Sequence, residues 1–265
     1  MSLQSRRWRP KPLIKNSYVS TVTCLAIITY LFFAIGSLDI NWLRVLQGLS
    51  RAAALWSGFL HPDFTSRWDD IRNGLLESLT MTFTASIVGL VFAIPFSIGA
   101  ARNIVPIPIY VFCRGAIAIS RSLQEIIVAL FFVVLLGFGP LAGFLTLVFS
   151  TIGFIAKLLA EDIEDTSPRE LEALRATGAG FYQIVVFAIL PQIMPRLIGL
   201  FMYRIDINFR DSAVIGIVGA GGIGATLNTT MERYEFGSAA AILLIIILIV
   251  VLCEYTSGYV RSRFN

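Results

Sequence analysis

Ser167-Pro-Arg-Glu-Leu-Glu-Ala-Leu-Arg-Ala-Thr-Gly178-Ala-Gly-Phe-Tyr-Gln-Ile-Val-Val-Phe-Ala-Ile-Leu-Pro191 is the longest well-marked polar element in the hydrophobic two-thirds of the chain. Ser167 stands where a helix N-cap belongs, Pro168 occupies the first helical position, and Glu170 follows at capping-box spacing. Gly178 supplies the positive-φ residue that ends such a helix. A helix of about ten residues is too short to persist alone in water, so it needs a surface to dock on. Capping signals alone leave two readings open: a solvated connector between buried helices, or a docking element.

The surrounding composition decides the environment. The chain has 265 residues, 56% hydrophobic and 14% charged, with a mean hydropathy of +0.78. A soluble domain carries about 25% charged residues. The expectation is an all-α polytopic membrane protein with six spans, near 16–38, 75–101, 121–137, 141–159, 191–209 and 237–259. Pro95 should bend the second span, and Pro106 to Ser120 read as an elbow before the third. Trp42, Leu43, Val45, Leu46, Leu49, Ala53 and Leu55 share one helical face, which suggests an amphipathic interfacial helix. Ala213 to Thr230 is Gly-rich and too broken to be a span. The domain reading is a tail, first span and interfacial segment over 1–73, a core over 74–259 and a short tail over 260–265.

Two rival readings of the basic start are set aside. No basic domain with interleaved aromatics follows it, as nucleic-acid binding would need. The run from Asn16 to Leu38 is longer than a signal core and has no clear small-x-small cleavage site, so it reads as an uncleaved span. Cys24, Cys113 and Cys253 are far apart in apolar surroundings, and His61 is the sole histidine, so neither a disulfide framework nor a zinc site is indicated.

Six spans place both termini and the Ser167 helix on one side. That side would hold Arg6, Arg7, Arg9, Lys11, Lys15, Arg102, Arg114, Lys157, Arg169, Arg175, Arg261 and Arg263. The other would hold Arg44, Arg51, Arg67, Arg72 and Arg233. The positive-inside rule therefore favours cytoplasmic termini and a cytoplasmic Ser167 helix.

Glu172-Ala173-Leu174, then Gly178 after three residues, then Leu190-Pro191, resembles the EAA signature of importer-type, binding-protein-dependent ABC permeases. Leu174 departs from the second Ala, and Ala188 stands where Ile is usual. The resemblance implies that the Ser167 helix couples to a cytoplasmic ATPase, with Glu172, Ala173, Gly178, Leu190 and Pro191 as the coupling residues. Val218 to Gly224 resembles the Gly-rich segment of methionine and phosphonate permeases. Several stretches are similar to the phosphonate branch: Arg121 with Glu125, Phe138-Gly-Pro140, Arg175-Ala-Thr-Gly178, Asn208-Phe-Arg210 with Ser212-Ala-Val214, and His61-Pro-Asp-Phe64. The function implied is the transmembrane pathway of an ATP-driven importer for phosphonate, phosphite or phosphate. The alternatives are a permease for another solute such as methionine, or a secondary transporter. The implied partners are a second permease copy, two ATPase subunits and an extracytoplasmic binding protein, in a bacterial plasma membrane.

Gly219-Ala-Gly-Gly-Ile-Gly224 also satisfies G-x-G-x-x-G, but it lies between spans and not in a βαβ unit, so helix packing near the pathway is the better reading. No G-x-x-x-x-G-K-[ST] occurs in the sequence. The chain is thus expected not to be an enzyme and to bind no cofactor, ATP and Mg²⁺ belonging to the partner ATPase. Glu161, Asp162, Glu164 and Asp165 form an acidic patch open to a Mg²⁺ reading or to docking on a basic face.

Ionisable residues inside spans are costly and normally face a bundle interior or an aqueous route. Arg196, Arg204, Asp206, Arg210 and Asp211 fall in or near the fifth span. Arg121 and Glu125 are four apart and would pair on one helix. Either these groups fix packing as ion pairs, or they form a cationic lining for an oxyanion. The pathway candidates are Arg121, Glu125, Arg204, Arg210, Gly221 and Gly222, with Arg204 and Arg210 favoured as lining; no metal ligands are indicated.

Overall fold

The structure, a computed structural model, describes residues 17–38 and 41–264. The basic start from Arg6 to Lys15 lies outside the described residues. The chain divides into two compact units, Met1–Ala54 and Leu55–Asn265.

The first unit holds helix α1, Ser17–Gly36, uniformly apolar and lacking any face. Helix α2, Trp42–Leu60, begins in this unit and is amphipathic as its spacing predicts. In the second unit the long helices are α3 (Trp68–Gly99), α6 (Pro140–Glu164), α9 (Leu190–Ile217) and α11 (Phe236–Phe264). Between them lie α4 (Ile107–Ser122), α5 (Glu125–Leu136), α7 (Pro168–Ala176), the single turn α8 (Phe181–Ile184), a π-helical segment (Val185–Ile189) and α10 (Gly222–Glu232). No strand occurs among the described residues. Among the described residues, five helices are long and apolar enough to cross a membrane, or six spans if the bent pair α4–α5 counts as one.

That pair corrects the expected third span. α5 has 12 residues, about 18 Å of helix, too short for a hydrocarbon core of about 30 Å. It is joined to α4 at a bend of 92°. Leu123 and Gln124 are extended (ψ 127° and 141°) and interrupt the helix. Arg121 therefore ends one helix and Glu125 starts another, so the expected pairing between them on one helix does not form. No Pro or Gly marks this break; tertiary pairing of Glu125 with a distant residue, described below, overrides local propensity.

The other spans differ in their ends. α3 begins at Trp68, before the expected 75. α9 runs on past Phe209 to Ile217, because Arg210 and Asp211, which look like a stop, find partners on the helix itself. α11 continues through Phe264, so the short tail expected from 260 is helical backbone.

α3 and α6 form the centre. Ala85, Ala93 and Ala156 are fully buried, and a Cβ on Gly89 would sit 2.6 Å from Thr151 Cβ. Small residues at such a seam let two helices approach closely, which in a membrane replaces the missing hydrophobic drive between them. One apolar cluster, including Ile155, Leu159, Ile163, Ile184 and Ile189, ties the lower half of α6 to α7, the π segment and the start of α9. A second, with Met81, Leu147, Ile215 and Ala220, holds the opposite end, and a third, with Ile71, Phe209, Ile223 and Ile242, packs α11 and α10 on α3 and α9.

Candidate functional site

Three regions hold the residues singled out by sequence: the Ser167 helix, the polar centre of the bundle, and the Gly-rich turn.

α7 is nine residues long and docks on its own chain through Leu171, which is buried, and Leu174. Glu172, Ala173 and Gly178 are exposed on the face turned away from the bundle. Gly178 has φ +80°, and the amides of Gly178 and Ala179 close the helix on Arg175 O and Leu174 O. The expected capping box is absent. Ser167 makes no side-chain cap; its N–H instead donates to Gln192 Oε1 at 3.0 Å. Gln192 Nε2 in turn donates to Ala188 O at 2.8 Å inside the π segment. Gln192 thus ties the start of α7 to the first turn of α9, beside the half-buried Leu190 and exposed Pro191. Sequence reasoning missed Gln192; its place one residue after Leu190-Pro191 was the available signal. A π segment is a strained insertion that recurs at functional positions.

The acidic patch beside α7 is engaged from within. Glu164 accepts the Arg102 N–H at 2.8 Å and Arg114 Nη2 at 2.9 Å. Glu161 faces Lys157 at 3.8 Å, and Asp162 faces Arg196 at 3.5 Å. No cluster that would hold a metal ion occurs among the described residues. These pairs anchor α4 and α9 to the end of α6.

The polar centre is built on Arg204, which is 2% exposed. It lies midway along α9, about 20 Å from either end. Its Nε donates to Thr151 Oγ1 at 3.1 Å; its Nη2 donates to Ser150 Oγ at 2.7 Å and to Glu125 Oε1 at 3.2 Å. Ser150 also donates to Glu125. Asp211 Oδ2 stands 4.0 Å from the same Nη2, and the guanidinium lies 5.4 Å from the centre of the Phe154 ring. One turn further along α9, Asn208 donates to Ser86 Oγ at 2.8 Å and Thr151 Oγ1 at 3.0 Å. Helices α3, α5, α6 and α9 are therefore joined by one buried polar network. Arg204 is an internal ion-pair member in it, and it also lines an open recess. Ser150 and Thr151 were not singled out from sequence, because single Ser and Thr residues are ordinary in spans, and Asn208 stood out only within the Asn208-Phe-Arg210 resemblance.

That recess, about 270 Å³, lies at the α4–α5 break and is lined by Arg121, Gln124, Glu125, Ser150, Phe154 and Arg204 among others. Arg121 is exposed there and makes no ion pair among the described residues. Arg210 is elsewhere: its side chain is 57% exposed and pairs with Asp206, four residues back, at 3.1 Å.

Gly221 and Gly222 are buried, with φ +77° and +74°. A Cβ on Gly221 would lie 2.8 Å from Pro140 N, and one on Gly222 2.5 Å from Ser78 Oγ. The turn is a packing joint. The Gly222 N–H donates to Glu77 Oε2 at 3.0 Å and the Ile223 N–H to Ser78 Oγ at 2.9 Å, satisfying the first amides of α10. At the same end of the bundle, Asp63 organises the loop before α3: its Oδ1 accepts the Thr65 N–H at 2.9 Å, and Ser66 Oγ donates to Oδ2. Those bonds, from Ser66 and then Thr65, hold the Asp63 carboxyl well below the usual carboxylate range. Arg67 forks onto Glu235 in the α10–α11 turn, with Nη2–Oε1 at 3.0 Å, and holds that carboxyl below its ordinary value. His61 is a loop residue as expected, with Nδ1 3.1 Å from Ser57 O.

Comparison with known proteins agrees with this architecture. Residues 90–264 match the family described as "Binding-protein-dependent transport system inner membrane component". The chain is 37% identical over 227 residues to the phosphate-import permease protein PhnE of Mycolicibacterium smegmatis; the match covers 85% of this chain and 43% of that longer relative. It is 37% identical to the phosphite transport system permease protein PtxC of Stutzerimonas stutzeri, over 87% of this chain and 83% of that one. Among solved structures it is similar to a chain of the inward-facing MetNI methionine ABC transporter, with a TM-score of 0.65, 25% identity, and coverage of 74% of this chain and 96% of that one. The bacterial alginate ABC transporter shares the fold at a TM-score of 0.61. The chain belongs to the family of binding-protein-dependent transport system inner membrane components, as a multi-pass permease subunit of an ABC importer.

Proposed function

We propose that this chain forms the transmembrane pathway for a phosphorus oxyanion: phosphonate, phosphite or phosphate. The observation that carries the reading is the mid-span recess with Arg204 at its back and, at its rim, Arg121, which has no ion pair among the described residues. Arginine offers a planar fork of donors suited to such oxygens, and an intramembrane cation is otherwise expensive. The names of the relatives at 37% identity point to the same class of solute. Arg210, exposed and paired with Asp206, is a second contact for the solute. Gly221 and Gly222 support the pathway by fixing the turn.

The working assembly is a pair of these chains with two ATPase subunits and an extracytoplasmic binding protein. The permease core extends over 74–259, and the termini are cytoplasmic, the side richer in Lys and Arg. ATP and Mg²⁺ bind the ATPase, where hydrolysis occurs; this chain binds no cofactor. α7 presents Glu172, Ala173 and the Gly178 turn to the ATPase. Gln192 passes its movement to α9, and Leu190 and Pro191 fix the start of that helix. Uptake of labelled phosphonate, phosphite, phosphate and methionine by cells carrying the whole transporter tests the reading. Uptake of one or more phosphorus oxyanions is expected. Uptake of methionine with none of the three would refute it.

A further inference from the structure

Within the proposed phosphorus-oxyanion reading, we propose that the recess at the α4–α5 break binds one oxyanion between Arg121 and Arg204, and that Glu125 is the resident counter-anion which the ligand displaces.

One guanidinium nitrogen, Arg204 Nη2, faces two carboxylates: Glu125 Oε1 at 3.2 Å and Asp211 Oδ2 at 4.0 Å. They are not equivalent. Asp211 sits two turns along the same helix as Arg204 and stays with it however neighbouring helices move. Glu125 is the first residue of α5, directly after the 92° bend. Its side chain is 28% exposed, against 20% for Asp211 and 3% for Arg204. Glu125 is thus the carboxylate able to leave by a small movement of α5, while Asp211 stays beside Arg204 on its own helix.

An unpaired buried guanidinium would be strongly destabilising. Glu125 removes that cost when no solute is present. An oxyanion entering the recess carries the same sign of charge and more acceptor oxygens, so it replaces Glu125 on Arg204 without leaving the cation bare. Arg121, on the α4 side of the break, supplies the second cation, and Ser150 Oγ, now bonded to both Glu125 and Arg204, supplies a neutral partner. A recess of about 270 Å³ lies just under the ~300–1,000 Å³ of sites for drug-sized ligands, which suits a small solute. A transit site must also release what it binds. Return of Glu125 to Arg204 provides that release, since it competes for the same donor.

The test uses the assembled importer in detergent, with Cys24, Cys113 and Cys253 changed to Ser and Gln124→Cys placed at the rim as a reporter. The rate of its modification by an anionic methanethiosulfonate is followed during titration with methylphosphonate and with inorganic phosphate. At least one of the two is expected to slow modification. Glu125→Gln keeps an acceptor for Ser150 and Arg204 but removes the competing charge; it should lower the half-protecting concentration about tenfold, on the order of one charge-assisted hydrogen bond. Arg121→Gln, at an exposed position without an ion pair among the described residues, should abolish protection while leaving assembly unchanged by size-exclusion chromatography. Absence of protection, or an unchanged half-protecting concentration in Glu125→Gln, overturns the proposal. Should Glu125→Gln fail to assemble, Arg121→Gln decides alone, and protection that persists in it overturns the site. Parallel uptake by the unsubstituted transporter separates the two readings. Oxyanion uptake without protection removes this site only, and no uptake of any phosphorus oxyanion removes the transport reading as well.

Discussion

Replacing Arg204 with Met keeps roughly the volume of the side-chain stem and removes the guanidinium. Glu125 and Asp211 then remain in the bundle with no cation beside them, and Thr151 and Ser150 lose a donor. Breaking a buried pair by deleting one partner costs about 3–5 kcal/mol. Against this, polar pairs between membrane helices average only ~0.6 kcal/mol in double-mutant cycles, because the unfolded chain also finds partners in the bilayer. The buried, multiply bonded setting of Arg204 argues for the larger figure. Arg204→Lys should fall between, since a point charge cannot reach Thr151 and Glu125 with one fork and so loses a bond of about 1.5–3 kcal/mol. The assay is reversible denaturation of the purified chain in mixed micelles, run as a cycle with Glu125→Gln. The double variant Arg204→Met with Glu125→Gln should recover at least about 1 kcal/mol relative to the sum of the singles. An Arg204→Met chain within about 0.5 kcal/mol of the unsubstituted one, the range of an ordinary surface change, would refute the claim that this network holds the bundle together.

Other outcomes follow from the same geometry. Arg210→Ala removes an exposed cation with one partner, so substrate-dependent uptake should fall more than assembly does; uptake equal to the unsubstituted transporter at equal expression would dismiss its pathway role. At Gly178 nothing lies within 4 Å of an added Cβ, whereas at Gly221 Pro140 N would be 2.8 Å away. Gly178→Ala should therefore cost only the positive-φ penalty, about 1–2 kcal/mol, and uncouple ATP hydrolysis from uptake, while Gly221→Ala should reduce the amount of folded protein. The Arg67–Glu235 pair holds the folded-state pKa of Glu235 below its ordinary value. Its stabilisation is fully present above that ordinary value and is lost as pH falls through the depressed folded one. Hydrogen-exchange protection at residues 61–67 and 233–237, taken against the intrinsic rate at each pH, should be unchanged from neutral pH down to about 5 and fall in stronger acid; a loss already near neutrality would count against the clasp.

Much of this was legible in the sequence, for physical reasons. Span existence follows from charge-free runs, and the α7 helix and its Gly178 turn follow from local stereochemistry, so α7 and the spans other than the third appear in the structure near where they are expected. What failed were features set by partners distant in the chain. The break after Ser122 carries no Pro or Gly; Glu125 leaves the helix of Arg121 because Arg204, 79 residues later, takes it. The Ser167 capping box is absent because Gln192, 25 residues on, occupies the amide that Glu170 would have bonded. Likewise Arg210 and Asp211 look like the end of a span, yet an i,i+4 partner and a buried arginine carry the helix through them. Among the pathway candidates, Arg121, Glu125 and Arg204 come together in one recess, while Arg210 and the two glycines lie apart from it.

The central claim is that this chain conducts a phosphorus oxyanion under the drive of an ATPase partner. Its most direct test is accumulation of labelled phosphonate, phosphite and phosphate in proteoliposomes containing the permease, its ATPase and the binding protein, with and without ATP. Accumulation of at least one of the three is expected only when ATP and the ATPase are both present. Accumulation by the permease alone, or none of the three under any condition while another solute enters, would contradict it.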